Sequence, residues 1–205
     1  MGHVEKEAHG RAPPIVYVDQ PDRSGHVFIF DGHGAGYAAT RHLREHGHER
    51  IGIVTAPLAW PNVREVYEGY LEALEGTGLR PSQELVAETD AFDIDAARRA
   101  LARLLEGPEP PTAVFAAGEL LALGVLQEAR TRALGVPRDL AIAGYTDSPT
   151  AALVDPALTM VSVPAREIGI QAMETLSKLI RGKRPRPRRT ILSTELVVRH
   201  SCGAH

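Results

Sequence analysis

From Pro13 to Arg199, short apolar runs alternate with stretches of helical periodicity, and this alternation limits the possible folds more than any single motif. PIVYVD, VFIFD, RIGIVTA, ELVAETD, TAVFAAG, DLAIAGY, LTMVSVP and the closing TILSTELVVR read as strands. Helical spacing fills the intervals from Tyr37 to Glu45, Val63 to Glu75, Ile94 to Leu105, Leu120 to Arg132 and Glu167 to Ile180. Several of these helices stop at a glycine, the residue best suited to a helix C-terminus. Strands separated by helices of this length require crossover connections and a mostly parallel sheet. VFAA and LAIAG are apolar without alternation, as expected where helices cover both sheet faces. The expected class is therefore α/β with a doubly wound parallel sheet.

Composition narrows the functional classes. The chain has 205 residues, enough for one domain or two small lobes, with 43% hydrophobic and 24% charged residues. A net charge of -3 and a pI near 6.3 give the whole chain no nucleic-acid footprint, so DNA contacts are not expected from these residues. Cys202 is the single cysteine, which excludes a disulfide framework and fits a cytoplasmic setting. No apolar run reaches membrane-spanning length, so no membrane partner is expected. The polar start, MGHVEKEAHGRAPP, lacks a signal peptide's apolar core, and residues 1–13 read as a disordered tail or junction. RGKRPRPRR, from Arg181 to Arg189, is the one biased segment; its prolines exclude helix, and it reads as a solvated basic loop.

Motifs for cofactors, metals and catalysis mostly fail on spacing. DGHGAGY places glycines at 32, 34 and 36 after a strand, but a dinucleotide loop requires G-x-G-x-x-G, so these glycines read as a turn carrying the chain between two lobes. His42 and His46 stand four apart and could share a helix face, but no HExxH or completing ligand accompanies them, and no metal is assigned. His48 follows Gly47 and reads as part of a helix end. Asp90, Asp93 and Asp95 suit a helix N-terminus. There is no G-x-S-x-G and no Cys-His pair in a nucleophile motif, so no catalytic residue, cofactor or enzymatic activity is expected.

What remains is a set of loops at the carboxyl ends of strands, where open α/β sheets bind ligands. Trp60 lies in the loop after RIGIVTA, and Arg64 opens the next helix. Phe92, then Gly118 and Glu119, then Thr146 and Asp147 follow three further strands. An aromatic face stacks on a sugar ring or base, and a guanidinium grips two oxygens at once. Taken singly, Trp60 fits loop packing and Arg64 a surface ion pair; their joint placement favours a cleft.

The runs HLREHGHERIGIV, REVYEGY, PTAVFAAGELLALG, GVPRDLAIAGYTD and PALT, with EIGIQAMETLSKLIRG and the closing ELVVRHS, together resemble the lactose-repressor/galactose-repressor (LacI/GalR) family of bacterial transcription regulators. The resemblance covers roughly residues 14 to 201. It implies a type I periplasmic-binding-protein-like core of two lobes, in which a small effector shifts lobe orientation and so the presentation of helix-turn-helix headpieces to an operator. On this pattern residues 14–32 are a fragment of the N-terminal lobe and 33–160 the complete C-terminal lobe. Residues 161–189 return to the first lobe, 190–201 close the second, and 202–205 form a tail. The chain is expected to be N-terminally incomplete, to reach operator DNA only through a headpiece it does not contain, and to form a homodimer that covers apolar surface.

The resemblance also implies effector contacts. Arg64 stands at the family's ligand-gripping arginine, while Phe30 and Asp19 stand at lobe-boundary positions that can line the cleft. Gly118-Glu119 replaces the family's Asn-Asp, and Thr146-Asp147 its Asp-Asp. Each lost hydrogen bond is worth about 0.5–1.5 kcal/mol, which argues against a typical hexose. The expected function is sensing of a small carbohydrate-like effector, with Trp60 stacking on it. The alternative is a solute-binding protein of the same fold serving transport; an enzyme on a doubly wound sheet is the third class.

Overall fold

A computed structural model describes residues 13–76, 78–79 and 81–203. The tail expected over 1–13 lies, apart from Pro13, outside the described residues. The described chain divides into two units, one of residues 13–29 and 164–192, the other of 30–163 and 193–203.

The larger unit is built on a six-stranded sheet. Its strands are β3 (Ile51–Thr55), β4 (Val86–Glu88), β5 (Ala113–Ala116), β6 (Ala141–Tyr145), β7 (Thr159–Ser162) and β9 (Glu195–Val197), in the order β4-β3-β5-β6-β7-β9. All neighbours are parallel except β7 and β9. Helices α1 (Gly32–Glu45) and α2 (Pro61–Glu75) cover one face, and α3 (Ile94–Glu106) and α4 (Glu119–Thr131) the other. Strand residues divide between these layers by the two-residue period. Ile51, Ile53 and Phe115 pack with Leu43, Val66 and Tyr70 of α1 and α2, while Val54, Val114 and Ala116 pack with Leu101, Leu104, Leu121 and Val125 of α3 and α4. Both faces are thus apolar, which is why the strands show no polar alternation.

The three alternate glycines are not a turn. Asp31 caps α1 by accepting from Gly34 N at 2.8 Å, so the helix begins at Gly32, five residues earlier than the apolar spacing predicts. A Cβ on Gly36 would stand 2.0 Å from Val66 O, and one on Gly69 2.0 Å from His33 O. These two glycines let the backbones of α1 and α2 touch, which no residue with a side chain permits.

The smaller unit contains β1 (Val16–Val18), β2 (His26–Phe30, whose last residue falls in the larger unit), α6 (Ala165–Ile180) and β8 (Arg189–Leu192). Its sheet runs β1-β2-β8, with β1 and β2 parallel. The sequence TILSTELVVR is therefore two strands rather than one: β8 joins this sheet, and β9 joins the edge of the larger one. A five-residue helix, α5 (Pro149–Leu153), and a 3-10 turn at Gln83–Leu85 are additions to the expected elements.

Cys202, expected to begin a tail, is packed together with Ser201; residues 204–205 lie outside the described residues. Ser201 Oγ donates to Ile142 O at 2.6 Å and accepts from Thr159 N at 2.8 Å. Cys202 is fully buried, with its Sγ 3.1 Å from Thr159 Oγ1 and 3.2 Å from His42 Nε2.

Candidate functional site

The carboxyl ends of β4, β3, β5 and β6 lie side by side, because Thr55 is in register with Glu88, Val54 with Ala116, and Ala116 with Gly144. Adjacent strands lie about 4.8 Å apart, so the loops after these four ends occupy an edge of roughly 14 Å. Seven of the sequence-derived candidates stand on these loops or on the helix starts that follow them.

Trp60 is the N-cap residue of α2, ahead of Pro61, and its carbonyl accepts from Arg64 N at 3.0 Å. The loop before it is held by Leu58 N donating to Glu88 Oε1 at 3.0 Å. Phe92, on the loop after β4, meets Trp60 with ring centroids 5.9 Å apart and planes tilted by 45°. The rings are 41% and 39% exposed, so an aromatic pair faces solvent where apolar area is normally buried. Thr89 fixes Phe92's loop, its N–H donating to Thr55 O at 2.7 Å and its hydroxyl lying 2.8 Å from Ala91 O.

Gly118 has a steric reason. A Cβ there would stand 2.8 Å from Cδ1 and Cε1 of Phe92, so the ring occupies the space a side chain would need. Glu119, the first residue of α4, accepts a short hydrogen bond from Ser148 Oγ, and that hydroxyl also caps α5. Arg64 is exposed in the first turn of α2 and makes no ion pair among the described residues.

Thr146 has φ +69°, a left-handed conformation unusual for a β-branched residue. Its N–H and that of Asp147 both donate to Val161 O, at 2.9 and 3.1 Å. Asp147 accepts from both terminal nitrogens of Arg199, at 2.8 and 2.7 Å, and both side chains are largely buried. Arg199 also donates to Leu158 O at 2.6 Å. Each Asp147 oxygen thus accepts one bond from Arg199, which ties the strained loop to the C-terminal segment. Arg199 and Ser148 are the residues sequence reasoning misses; the polar RHS after the apolar ELVV is the only signal for Arg199.

Phe30 ends β2, half-buried, immediately before the α1 cap. Asp19 belongs to the smaller unit, follows β1 with φ +54°, and donates its N–H to Phe28 O at 2.8 Å.

His42, His46 and His48 each have a hydrogen-bonding neighbour within the protein. His42 is buried against Cys202, and burial holds its imidazole below the usual histidine range despite the opposing field of Glu45. His46 is bonded to His42 O at 2.7 Å, and His48 to Thr112 Oγ1 at 3.0 Å. No group of three or more metal-ligating side chains occurs among the described residues. Asp93 caps α3 by accepting from Ala96 N, as its position before the helix suggests.

Residues 40–202 match the family described as periplasmic binding protein-like domain. The chain belongs to that family. It is 32% identical over 200 residues to the HTH-type transcriptional repressor CytR of Escherichia coli K12, covering 97% of this chain and 58% of that protein. The structure of a transcriptional regulator CelR–cellobiose complex superposes with a TM-score of 0.86 at 34% identity, covering 92% of this chain and 58% of that one. A LacI family transcriptional regulator from Mycobacterium smegmatis gives a TM-score of 0.83 at 32% identity, covering 91% and 69%. The chain therefore spans little more than half the length of the curated relatives it matches. Those relatives are LacI-type transcriptional regulators rather than enzymes, and they do not favour the transport alternative. No helix among the described residues is long and apolar enough to cross a membrane.

Proposed function

We propose that this chain is the effector-binding part of a LacI-type transcriptional regulator acting in the cytoplasm, and that it binds a small carbohydrate-like molecule at the carboxyl edge of the six-stranded sheet. The observation that carries this reading is the solvent-facing Trp60–Phe92 pair on the same edge as Arg64. Stacking on the two rings supplies apolar area, and Arg64 supplies a two-pronged donor to hydroxyl or anionic oxygens. Glu119 and Thr146 add polar contacts, while the Asp147–Arg199 pair keeps the Thr146 loop in place. With Phe92 filling the space beside Gly118, the site favours a ligand that presents flat faces to aromatic rings. A β-linked disaccharide is the first candidate, because the similar CelR regulator is known as a complex with cellobiose. Phe30, the last residue of β2, is a further candidate contact in the larger unit. Homodimerisation, and operator binding through a helix-turn-helix headpiece, are properties we assign to the whole regulator.

Trp60 is the only tryptophan, so its fluorescence reports on the site directly. Titration with cellobiose, other disaccharides, nucleosides and phosphorylated sugars, combined with thermal denaturation, tests the reading. A ligand at 100 times its Kd adds about 2.7 kcal/mol of stability. Both responses are expected to vanish in Arg64→Ala. Unchanged shifts in that variant would place the ligand elsewhere.

A further inference from the structure

The segment Arg181–Arg189 carries six cations and no acid in nine residues. The whole chain has 23 Lys and Arg against 26 Asp and Glu, so outside this loop 17 cations face all 26 acids. The loop is an isolated basic patch on an otherwise acidic chain.

Five of its six cations are also unpaired among the described residues. Arg41, Arg50, Arg98, Arg132, Arg138 and Arg199 all form ion pairs. Arg181, Lys183, Arg184, Arg186 and Arg188 form none among the described residues, and all five are exposed. Favourable interaction with the C-terminal dipole of α6 accounts for Arg181 and Lys183, which lie beside the helix end. It falls off within the last turn and does not extend to Arg184, Arg186 and Arg188, which stand beyond Lys183 in the chain.

These three alternate with Pro185 and Pro187, which keep the chain out of helix. Both ends of the run are anchored. Lys183 N donates to Lys178 O at 3.0 Å, and Arg188 O accepts from Val27 N at 2.7 Å. The loop follows the C-terminus of α6, which at 1.5 Å per residue lies about 24 Å from the start of that helix at Ala165.

The chemistry selects the partner. Arginine outnumbers lysine five to one in the loop, and planar guanidinium forks suit phosphate oxygens better than ammonium groups do. Residues 182–189 contain no aromatic side chain to stack on unpaired bases and no large apolar side chain to enter a bilayer. We infer that Arg184, Arg186 and Arg188 form a sequence-independent contact to the phosphate backbone of duplex DNA. This inference rests on the reading of the chain as part of a DNA-binding regulator. It adds to the sensor a local DNA contact that the overall charge conceals.

Fluorescence anisotropy of the 205-residue chain with a labelled 20-base-pair duplex of arbitrary sequence, from 50 to 200 mM salt, tests it. Binding is expected to weaken linearly on a log–log plot of affinity against salt. The combined Arg184→Gln, Arg186→Gln and Arg188→Gln variant should have a slope shallower by about 2.7, at about 0.9 per phosphate contact. Arg41→Gln, Arg130→Gln and Arg138→Gln together remove the same charge elsewhere and should leave most of the binding. The proposal is overturned if the chain does not bind the duplex at 50 mM salt, if the control variant loses as much, or if vesicles containing phosphatidylserine bind while the duplex does not. A sugar-induced thermal shift that survives in a chain without duplex binding would remove this inference and leave the sensor reading standing. Loop-dependent duplex binding without any sugar response would do the reverse.

Discussion

His42 shows how one side chain can look functional in sequence and be structural in the fold. Its neighbour at i+4 invites a metal reading, but its Nε2 is turned to Cys202, near the end of the described chain. Burial favours the neutral ring, so its folded pKa lies below the unfolded value near 6.5. A depressed histidine contributes stability that is complete above the unfolded pKa and is lost as pH falls through the folded one. His48 is shifted the same way, by burial and then by His46. The melting temperature should therefore drop as pH falls below about 6.5. His42→Gln, which keeps a polar partner for Cys202, should make that drop smaller; an equal drop in the variant would show that His42 is not its source. The placement of Trp60, Phe92 and Arg64 on one sheet edge could be read from sequence because loops after parallel strands converge. The Asp147–Arg199 pair could not, since it joins positions 52 residues apart that only the strand order brings together.

Among the elements, the α1–α2 crossing depends most on particular residues. Gly36 and Gly69 each face the other helix's backbone, where the obstructing atoms are carbonyl oxygens and amide nitrogens that cannot rotate away. Gly36→Ala should cost about 1–3 kcal/mol or more, which lowers the melting temperature by several degrees. An unchanged melting temperature would mean the helices can separate without loss. The sequence shows these glycines clearly but not their use. Apolar spacing places the helix start at Tyr37, because Gly32 to Gly36 carry no apolar periodicity, and only the Asp31 cap reveals that the helix extends through them. That β3 to β7 pair in parallel was legible from alternation, whereas their order in the sheet was not. The split of the last strand was not, because TILSTELVVR contains no proline or glycine to mark it.

At the scale of the whole molecule, α6 of the smaller unit leaves apolar area open: Ile170, Met173 and Ile180 are 43%, 64% and 68% exposed. Clustered exposure of this kind marks a surface that another chain or segment covers. If a second copy covers it, size exclusion should show a species of roughly twice the 22.2 kDa chain mass, and Met173→Glu with Ile180→Glu should return it to one. A wild-type monomer at micromolar concentration would rule that out. The larger unit is also discontinuous in sequence, with β9, Ser201 and Cys202 arriving only after the chain has built β8 elsewhere. During synthesis, which proceeds from the N-terminus, the β7 edge and the base of α1 must wait unsealed until residues 195–202 have left the ribosome. Completion of this lobe is therefore timed by the appearance of its last strand, and a nascent chain that has not yet reached residue 195 would have every candidate contact yet lack Arg199 to hold the Thr146 loop.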